Sequence, residues 1–240
     1  MNAERALRTA SEIPAGEPLL SALTSAVVAG GARIRTSVPL PLWLTDHQLV
    51  RTQVVSFTGL VDAGEHVALL VGPWPSSRVP LVRVHSECLT GDVLGSARCD
   101  CGPQLRQALS FMAIDGGVVL YLRQEGRGVG LYNKIDAYAL QDQGLDTYDA
   151  NMALELPADP RDFTVAAQML LALGTTRCEL LSNNPDKAQQ LLAAGIDVTH
   201  VRATGAYITE FNRKYLETKV NRAGHAIDLH NSAWSGEPRD

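Results

Sequence analysis

The 240-residue sequence predicts an α/β fold, a mixed β-sheet flanked by helices forming a single domain with an N-terminal extension. Runs rich in β-branched and aromatic residues crowd the first half, at Val54 to Phe57, His66 to Val71 and Pro80 to Ser86, as neighbouring sheet strands do. After residue 101, apolar residues at helical spacing alternate with short apolar runs, the texture of crossover units. Glycine and proline cut the chain into about ten such segments without a repeat or a low-complexity tract, so one core is the economical organisation.

Taken in order, residues 1–50 read as the extension, with Pro18 placed to open a helix and Gly30-Gly31 to close it. Strand texture begins near Arg51. In the Pro80 to Ser86 strand, Leu81, Arg83 and His85 alternate with Val82 and Val84, so Arg83 and His85 share one face. Leu105, Ala108, Leu109 and Met112 then mark a helix after Cys101 that Gly116-Gly117 stops. Gly117 to Leu122 reads as a buried strand, Arg123 to Gly130 as a glycine-rich loop and Asn133 to Gln143 as a helix. Pro160 or Asp162 opens a helix ended by Gly174, and Glu179 to Ser182 is a short strand. Asn184-Pro185 starts a helix ending at Gly195, and Ile196 to Arg202 supplies one more strand.

Composition removes several functions. With 45% hydrophobic and 20% charged residues the chain can bury a core. Twenty-one basic against 26 acidic residues give a net charge of −5, with no long block of either sign, so a nucleic-acid partner is not expected. No apolar run approaches the roughly 18 residues that span a bilayer, so no membrane partner is expected either. The apolar stretch Leu19 to Ala29 follows Glu12 and Glu17 and is interrupted by Ser21, Thr24 and Ser25, which reads as a cytoplasmic helix rather than a signal peptide.

The cysteines are the chemical lead. Cys88, Cys99 and Cys101 fall within fourteen positions, and Cys178 stands apart between Arg177 and Glu179 as a core residue. A C-x-C pair plus one cysteine beyond a short loop can fill three corners of a zinc tetrahedron. An open fourth corner distinguishes catalytic zinc, whose bound water has its pKa lowered to about 7. Simple burial of the three thiols, or a closed structural site completed by Cys178 or His85, stay open at this point.

The surroundings are polar. Arg83, His85, Ser86 and Glu87 lead into Cys88, and the loop Gln124 to Gly130 combines glycines with Glu125 and Arg127 in a way that suits contact with an anionic oxygen. Asn184-Pro185 before Lys187 offers another phosphate contact at a helix start. Asp159 and Arg161 flank Pro160, where a helix cap is the ordinary role, and Tyr138 in a helix is by base rate a packing residue. No Walker P-loop is present.

The runs Arg83-Val-His-Ser-Glu-Cys-Leu-Thr-Gly-Asp92 and Arg98-Cys-Asp-Cys-Gly102, followed by Arg123-Gln-Glu-Gly-Arg127, Asn133-Lys134-Ile135, Ala137-Tyr-Ala-Leu-Gln-Asp-Gln-Gly144 and Ser182-Asn-Asn-Pro185, closely resemble GTP cyclohydrolase II. Tyr215-Leu-Glu-Thr-Lys219 and Gly224-His225 resemble that family's ending. The resemblance implies a catalytic domain over residues 51–230 and a tail over 231–240. It implies that GTP loses C8 as formate and loses pyrophosphate, giving 2,5-diamino-6-(5-phosphoribosylamino)pyrimidin-4-one at the entry to riboflavin synthesis.

Residue by residue, the resemblance gives zinc to Cys88, Cys99 and Cys101 and nucleotide contacts to Arg83, Val84, His85, Ser86 and Glu87. Further nucleotide contacts fall to Gln104, Glu125, Gly126, Arg127, Thr147, Ser182 and Lys187. Asp159 matches the proton acceptor, Arg161 the nucleophile at the α-phosphate, and Tyr138 a tyrosine linked to ring opening. Magnesium on the triphosphate, a homodimer and a cytoplasmic location are implied as well. Ser182 replaces a usual threonine but keeps its hydroxyl, and Pro103 replaces a common aromatic residue. A paralogue that retains C8 as a formamide, or that acts on another purine nucleotide, is the alternative.

Overall fold

A computed structural model describes residues 31–45, 48–74, 79–157 and 159–232. The chain runs through β1 (Arg33–Pro39), β2 (Leu42–Thr45), β3 (Gln48–Val50), β4 (Thr52–Thr58), β5 (Val67–Val71) and β6 (Leu81–Ser86). It continues with α1 (Leu89–Asp92), α2 (Cys101–Asp115), β7 (Gly117–Leu122), α3 (Leu131–Asp142), α4 (Thr147–Ala153) and α5 (Thr164–Ala172). The last elements are β8 (Arg177–Leu181), α6 (Pro185–Ala193), β9 (Asp197–Arg202) and α7 (Arg213–Ala223).

Seven strands form one sheet in the order β1-β4-β5-β7-β6-β8-β9, and β2 with β3 forms a separate ribbon. The β1, β4, β5 and β7 side is antiparallel and the β7, β6, β8 and β9 side parallel. The fold is therefore the mixed α/β sheet that the order of strands and helices predicts.

Alternation along the central strands feeds two cores. Val82, Val84, Val118 and Leu120 face α5 and α6, where Phe163, Met169, Leu170 and Leu191 meet them. Leu81, Val119 and Val71 face the opposite way, onto Ala108, Leu109 and Met112 of α2. Each such buried aliphatic or aromatic side chain contributes about 1.5–3 kcal/mol of transfer free energy. Cys178 is fully buried in the first core, as packing requires.

Several boundaries differ from the sequence reading. Strand pairing begins at Arg33, not near Arg51: β1 lies at the sheet edge, and its exposed Arg33, Arg35 and Thr36 give it no apolar run to betray it. The helix expected after Pro18 falls outside the described residues. The helix expected from Pro160 or Asp162 opens at Thr164, whose N–H donates to Asp162 Oδ1 at 2.7 Å. The short α4 is capped by Asp146, whose carboxylate accepts from the backbone N–H groups of Tyr148 and Asp149. No helix among the described residues is long and apolar enough to cross a membrane.

This topology places the loops after β6, β7 and β8 together at the carboxyl ends of adjacent parallel strands, where open α/β sheets offer a crevice.

Candidate active site

The three thiols meet at the first of these strand ends. Glu87 N–H donates to the Leu122 carbonyl at 2.8 Å, which carries the chain off β6 in register, and Cys88 then opens α1. Cys99 and Cys101 flank the start of α2, where the helix end favours negative charge. All three sulfurs lie within 4.8 Å of one another, and Cys88 Sγ is 3.6 Å from Cys99 Sγ. Tetrahedral zinc with bonds of about 2.3 Å sets its sulfurs about 3.8 Å apart, so the cluster fits the ion.

Two glycines make this closeness possible. A Cβ on Gly91 would stand 2.7 Å from Cys99 Sγ and 3.2 Å from Cys88 Sγ, and one on Gly102 would stand 2.2 Å from the Gly91 carbonyl oxygen. Hydrogen bonds from Cys101 and Cys99, aided by the Lys134 charge, push the Cys88 thiol far below its ordinary value, while bonding to Cys88 pushes Cys101 up. Three sulfurs this close can all be thiolates only around a cation. Lys134 Nζ lies 3.2 Å from Cys88 Sγ and 2.8 Å from Glu125 Oε1, and the other oxygen of Glu125 accepts from Leu89 N–H at 2.6 Å.

Beneath the thiols, Asp92 ties the strand to the cluster. Its carboxylate lies 3.1 Å from His85 Nε2 and accepts from the Tyr121 hydroxyl at 2.9 Å and the Cys88 backbone N–H at 3.0 Å. Both side chains of the His85 and Asp92 pair are nearly sealed from solvent. Asp92→Asn removes the charge and one acceptor from this knot, so Cys88 loses its fixed backbone. Zinc affinity, measured by competition with a chromogenic chelator, is expected to fall by about 10–100-fold.

The thiols form one end of a cleft with two chambers. Ser86, Glu87, Glu125, Gly126, Arg127, Tyr138 and Thr147 line the first beside the cysteines. Arg83, His85, Gln104, Ser182 and Lys187 line the other. Ser86, Cys101, Arg127, Arg161 and Tyr215 border both.

The loop after β7 owes its shape to Gly126 and Arg127, at φ 61° and 60°. A left-handed arginine costs on the order of 1–3 kcal/mol, a strain typical of functional loops. Here it turns a guanidinium between the chambers, 4.7 Å from the centre of the Tyr148 ring, with a buried Nη1 that has no hydrogen-bond partner among the described residues.

Arg161 and Asp159 form a forked pair, with Nε donating to Oδ1 at 2.7 Å and Nη2 to Oδ2 at 2.5 Å. Burial pushes the Asp159 carboxyl up, but Arg161 and then Arg127 outweigh it and hold it below the ordinary carboxylate range. The Tyr138 hydroxyl lies 3.4 Å from Thr90 Oγ1, and the Arg98 guanidinium covers its ring at 4.4 Å. Burial raises its phenol, and it faces the cysteines as well as packing.

In the other chamber Arg83 donates to Gln104 Oε1 at 2.8 Å and to the Leu181 carbonyl at 3.2 Å. Lys187 is buried, and its Nζ donates to the Val84 carbonyl at 2.8 Å. Burial, then Arg83, Arg161 and Lys219, push its ammonium well below the ordinary lysine value. Such a buried cation calls for an anion. Val84 alone of the predicted nucleotide contacts turns its side chain away, into the core. Lys134 and Asp92 are site residues that sequence reasoning misses. Both sit inside longer motifs, Asp92 at the end of the Arg83 to Asp92 run and Lys134 within Asn133-Lys134-Ile135, without a role of their own.

The described residues thus combine a mixed α/β sheet, three thiols placed so that they could hold a metal ion, and a chamber lined by basic side chains. The family model described as GTP cyclohydrolase II matches residues 44–203, and the chain belongs to that family. It is 50% identical over 196 residues to GTP cyclohydrolase-2 of Psychromonas ingrahamii, covering 81% of this chain and 97% of the relative. It is also 50% identical over 181 residues to GTP cyclohydrolase-2 of Vibrio cholerae, covering 75% of this chain and 91% of the relative. Riboflavin biosynthesis protein RibBA of Bacillus subtilis is 51% identical over 177 residues, 73% of this chain and 44% of that longer protein.

Proposed function

We propose that this chain is a hydrolase that opens the imidazole ring of GTP, releasing C8 as formate and the terminal phosphates as pyrophosphate, in the first step of riboflavin biosynthesis. The observation that carries the reading is the shared border: Ser86, Cys101, Arg127, Arg161 and Tyr215 line both the chamber that holds the thiol cluster and the cationic chamber, so the two adjoin. A purine nucleotide is a molecule with a reactive ring at one end and a polyanion at the other.

Cys88, Cys99 and Cys101 would hold zinc, which when bound supplies a Lewis acid and lowers the pKa of water toward about 7. The protein's own groups do the rest. Lys134 neutralises part of the thiolate charge and holds Glu125 against the start of α1. Tyr138, held between Thr90 and Arg98, presents a phenol whose pKa is raised, so it keeps its proton and can donate to a ring nitrogen or leaving amine. Arg83, Lys187 and Arg127 receive phosphate oxygens, and Gln104 fixes the plane of Arg83.

Arg161 is buried, and Asp159 lifts its pKa further above the ordinary value than burial lowers it. In this arrangement it is a fixed cation at the α-phosphate. Nucleophilic attack by it requires Asp159 to take the proton at Nε or Nη2, both already hydrogen-bonded to that carboxylate. Magnesium on the leaving pyrophosphate, a homodimer and a cytoplasmic location belong to the same reading.

The test is incubation of zinc-loaded protein with GTP and Mg²⁺, with products identified by mass. Formate, pyrophosphate and a diaminopyrimidine nucleotide are expected. A ring-opened product that keeps C8 as formamide assigns the chain to the paralogue reading, and the absence of any ring opening overturns both.

A further inference from the structure

The cationic chamber has a wall that lies outside the residues matched by the family model. α7 and the turn after it, residues 213–227, cross the chamber as a strap pinned at both ends. Lys214 Nζ donates to the Gly144 carbonyl, and Arg222 pairs with Asp146 at 2.9 Å and Asp149 at 3.2 Å. At the far end Ala226 N–H donates to the Asn183 carbonyl at 2.9 Å, beside Ser182.

Between these pins Lys219 and His225 face the chamber. Lys219 Nζ lies 3.3 Å from Asp100 Oδ1 and 4.3 Å above the Tyr215 ring, so it is held in place rather than solvated. His225 Nδ1 is buried and has no hydrogen-bond partner among the described residues, and the same holds for Arg127 Nη1 and Arg83 Nε. Unpartnered buried nitrogens gathered around one cavity are unusual in a finished structure and mark where a ligand belongs.

Charge says which ligand. Arg83, Arg127, Arg161 and Lys187 line the chamber together with Lys219. Burial and then Lys219, Arg127, Lys187 and Arg161 push His225 down to about 4, a measure of how positive the cavity is. The carboxylates nearby, Asp100 and Asp159, are each already engaged, by Lys219 and Arg161. The surplus positive charge needs a multiply charged anion with several acceptor oxygens.

We infer that Lys219 and His225 are substrate-binding residues whose Nζ and ring N–H donate to polyphosphate oxygens of the nucleotide, so that the strap supplies part of the chamber's anion-binding lining. The inference rests on the reading of this cleft as a nucleotide site.

The test uses full-length, zinc-loaded protein and two variants, His225→Ala and Lys219→Gln. Calorimetry gives the Kd for inorganic tripolyphosphate and, separately, for guanosine. Each variant is expected to bind tripolyphosphate at least about tenfold more weakly, the scale of one charge-assisted hydrogen bond, and His225→Ala is expected to do so with guanosine affinity, zinc content and thermal midpoint retained. With GTP, KM is expected to rise more than kcat falls.

Lys219→Gln disturbs Asp100 next to two of the thiols, so His225→Ala, which breaks no hydrogen bond between the ring Nδ1 and the protein, is the deciding variant. Tripolyphosphate affinity within about threefold of the unmodified protein in that variant overturns the inference, as does an equal loss for guanosine. Formate release by the unmodified protein is scored separately. Strap-dependent tripolyphosphate binding without formate leaves the strap standing and removes the reaction, and formate release with unaffected tripolyphosphate binding does the reverse.

Discussion

Replacing Cys88 with serine is expected to reduce formate release from GTP by about 1,000-fold or more, the several kcal/mol that a Lewis acid contributes to such a transition state. The side chain keeps its size, and the hydrogen bonds that position it run through its backbone N–H to Asp92 and its carbonyl to Gly91 and Asp92. The fold therefore survives, which circular dichroism checks. Zinc, measured by atomic absorption, is expected to drop from about one equivalent per chain to a small fraction, because a serine hydroxyl is a far poorer ligand than a thiolate. Full turnover in a serine variant that holds no zinc would remove the metal from the reaction.

Gly91→Ala is the other large effect, and it comes from a residue with no functional group. Gly91 is absent from the positive-φ glycines, so its backbone is open to alanine and space alone decides. The added methyl would sit 2.7 Å from Cys99 Sγ, 3.1 Å from Cys101 Cβ and 3.2 Å from Cys88 Sγ, inside ordinary contact on three sides. The thiols must spread, and they are the atoms whose spacing matters. Zinc affinity is expected to fall by about 100-fold, with a loss of about 1–3 kcal/mol in unfolding free energy from overpacking. Chelator competition and urea denaturation read the two separately. An alanine variant that binds zinc like the parent would show that α1 can slide without cost.

How much of this is legible in the sequence depends on whether a signal is local. β7 matches its predicted span at both ends, Gly117 to Leu122, because a glycine pair bounds it on one side and a polar loop on the other. The thiol cluster is legible because a short loop limits how far Cys88 can lie from the Cys99 and Cys101 pair. β1 and α7 are not: β1 is an exposed edge and α7 is a mostly polar helix that buries only Leu216 and Thr218, so neither carries an apolar period.

Residues whose work is done across long separations are hidden for a related reason. Asp92 accepts from the Tyr121 hydroxyl, 29 residues further along, and Lys219 meets Asp100 from 119 residues away. Tyr138 reads as packing in the sequence, since nothing in a helical period tells that one turn of α3 faces three cysteines.

Cys178 has a practical meaning beyond its place in the core. Fully buried and with its thiol pushed up to about 12 by burial, it is chemically silent in the folded chain. A thiol reagent applied to native protein therefore leaves Cys178 untouched, and its equivalent appears on unfolding. The molecule carries its own internal standard: the Cys178 thiol answers a reagent only when the core opens, so it reports unfolding separately from anything that happens at the cluster.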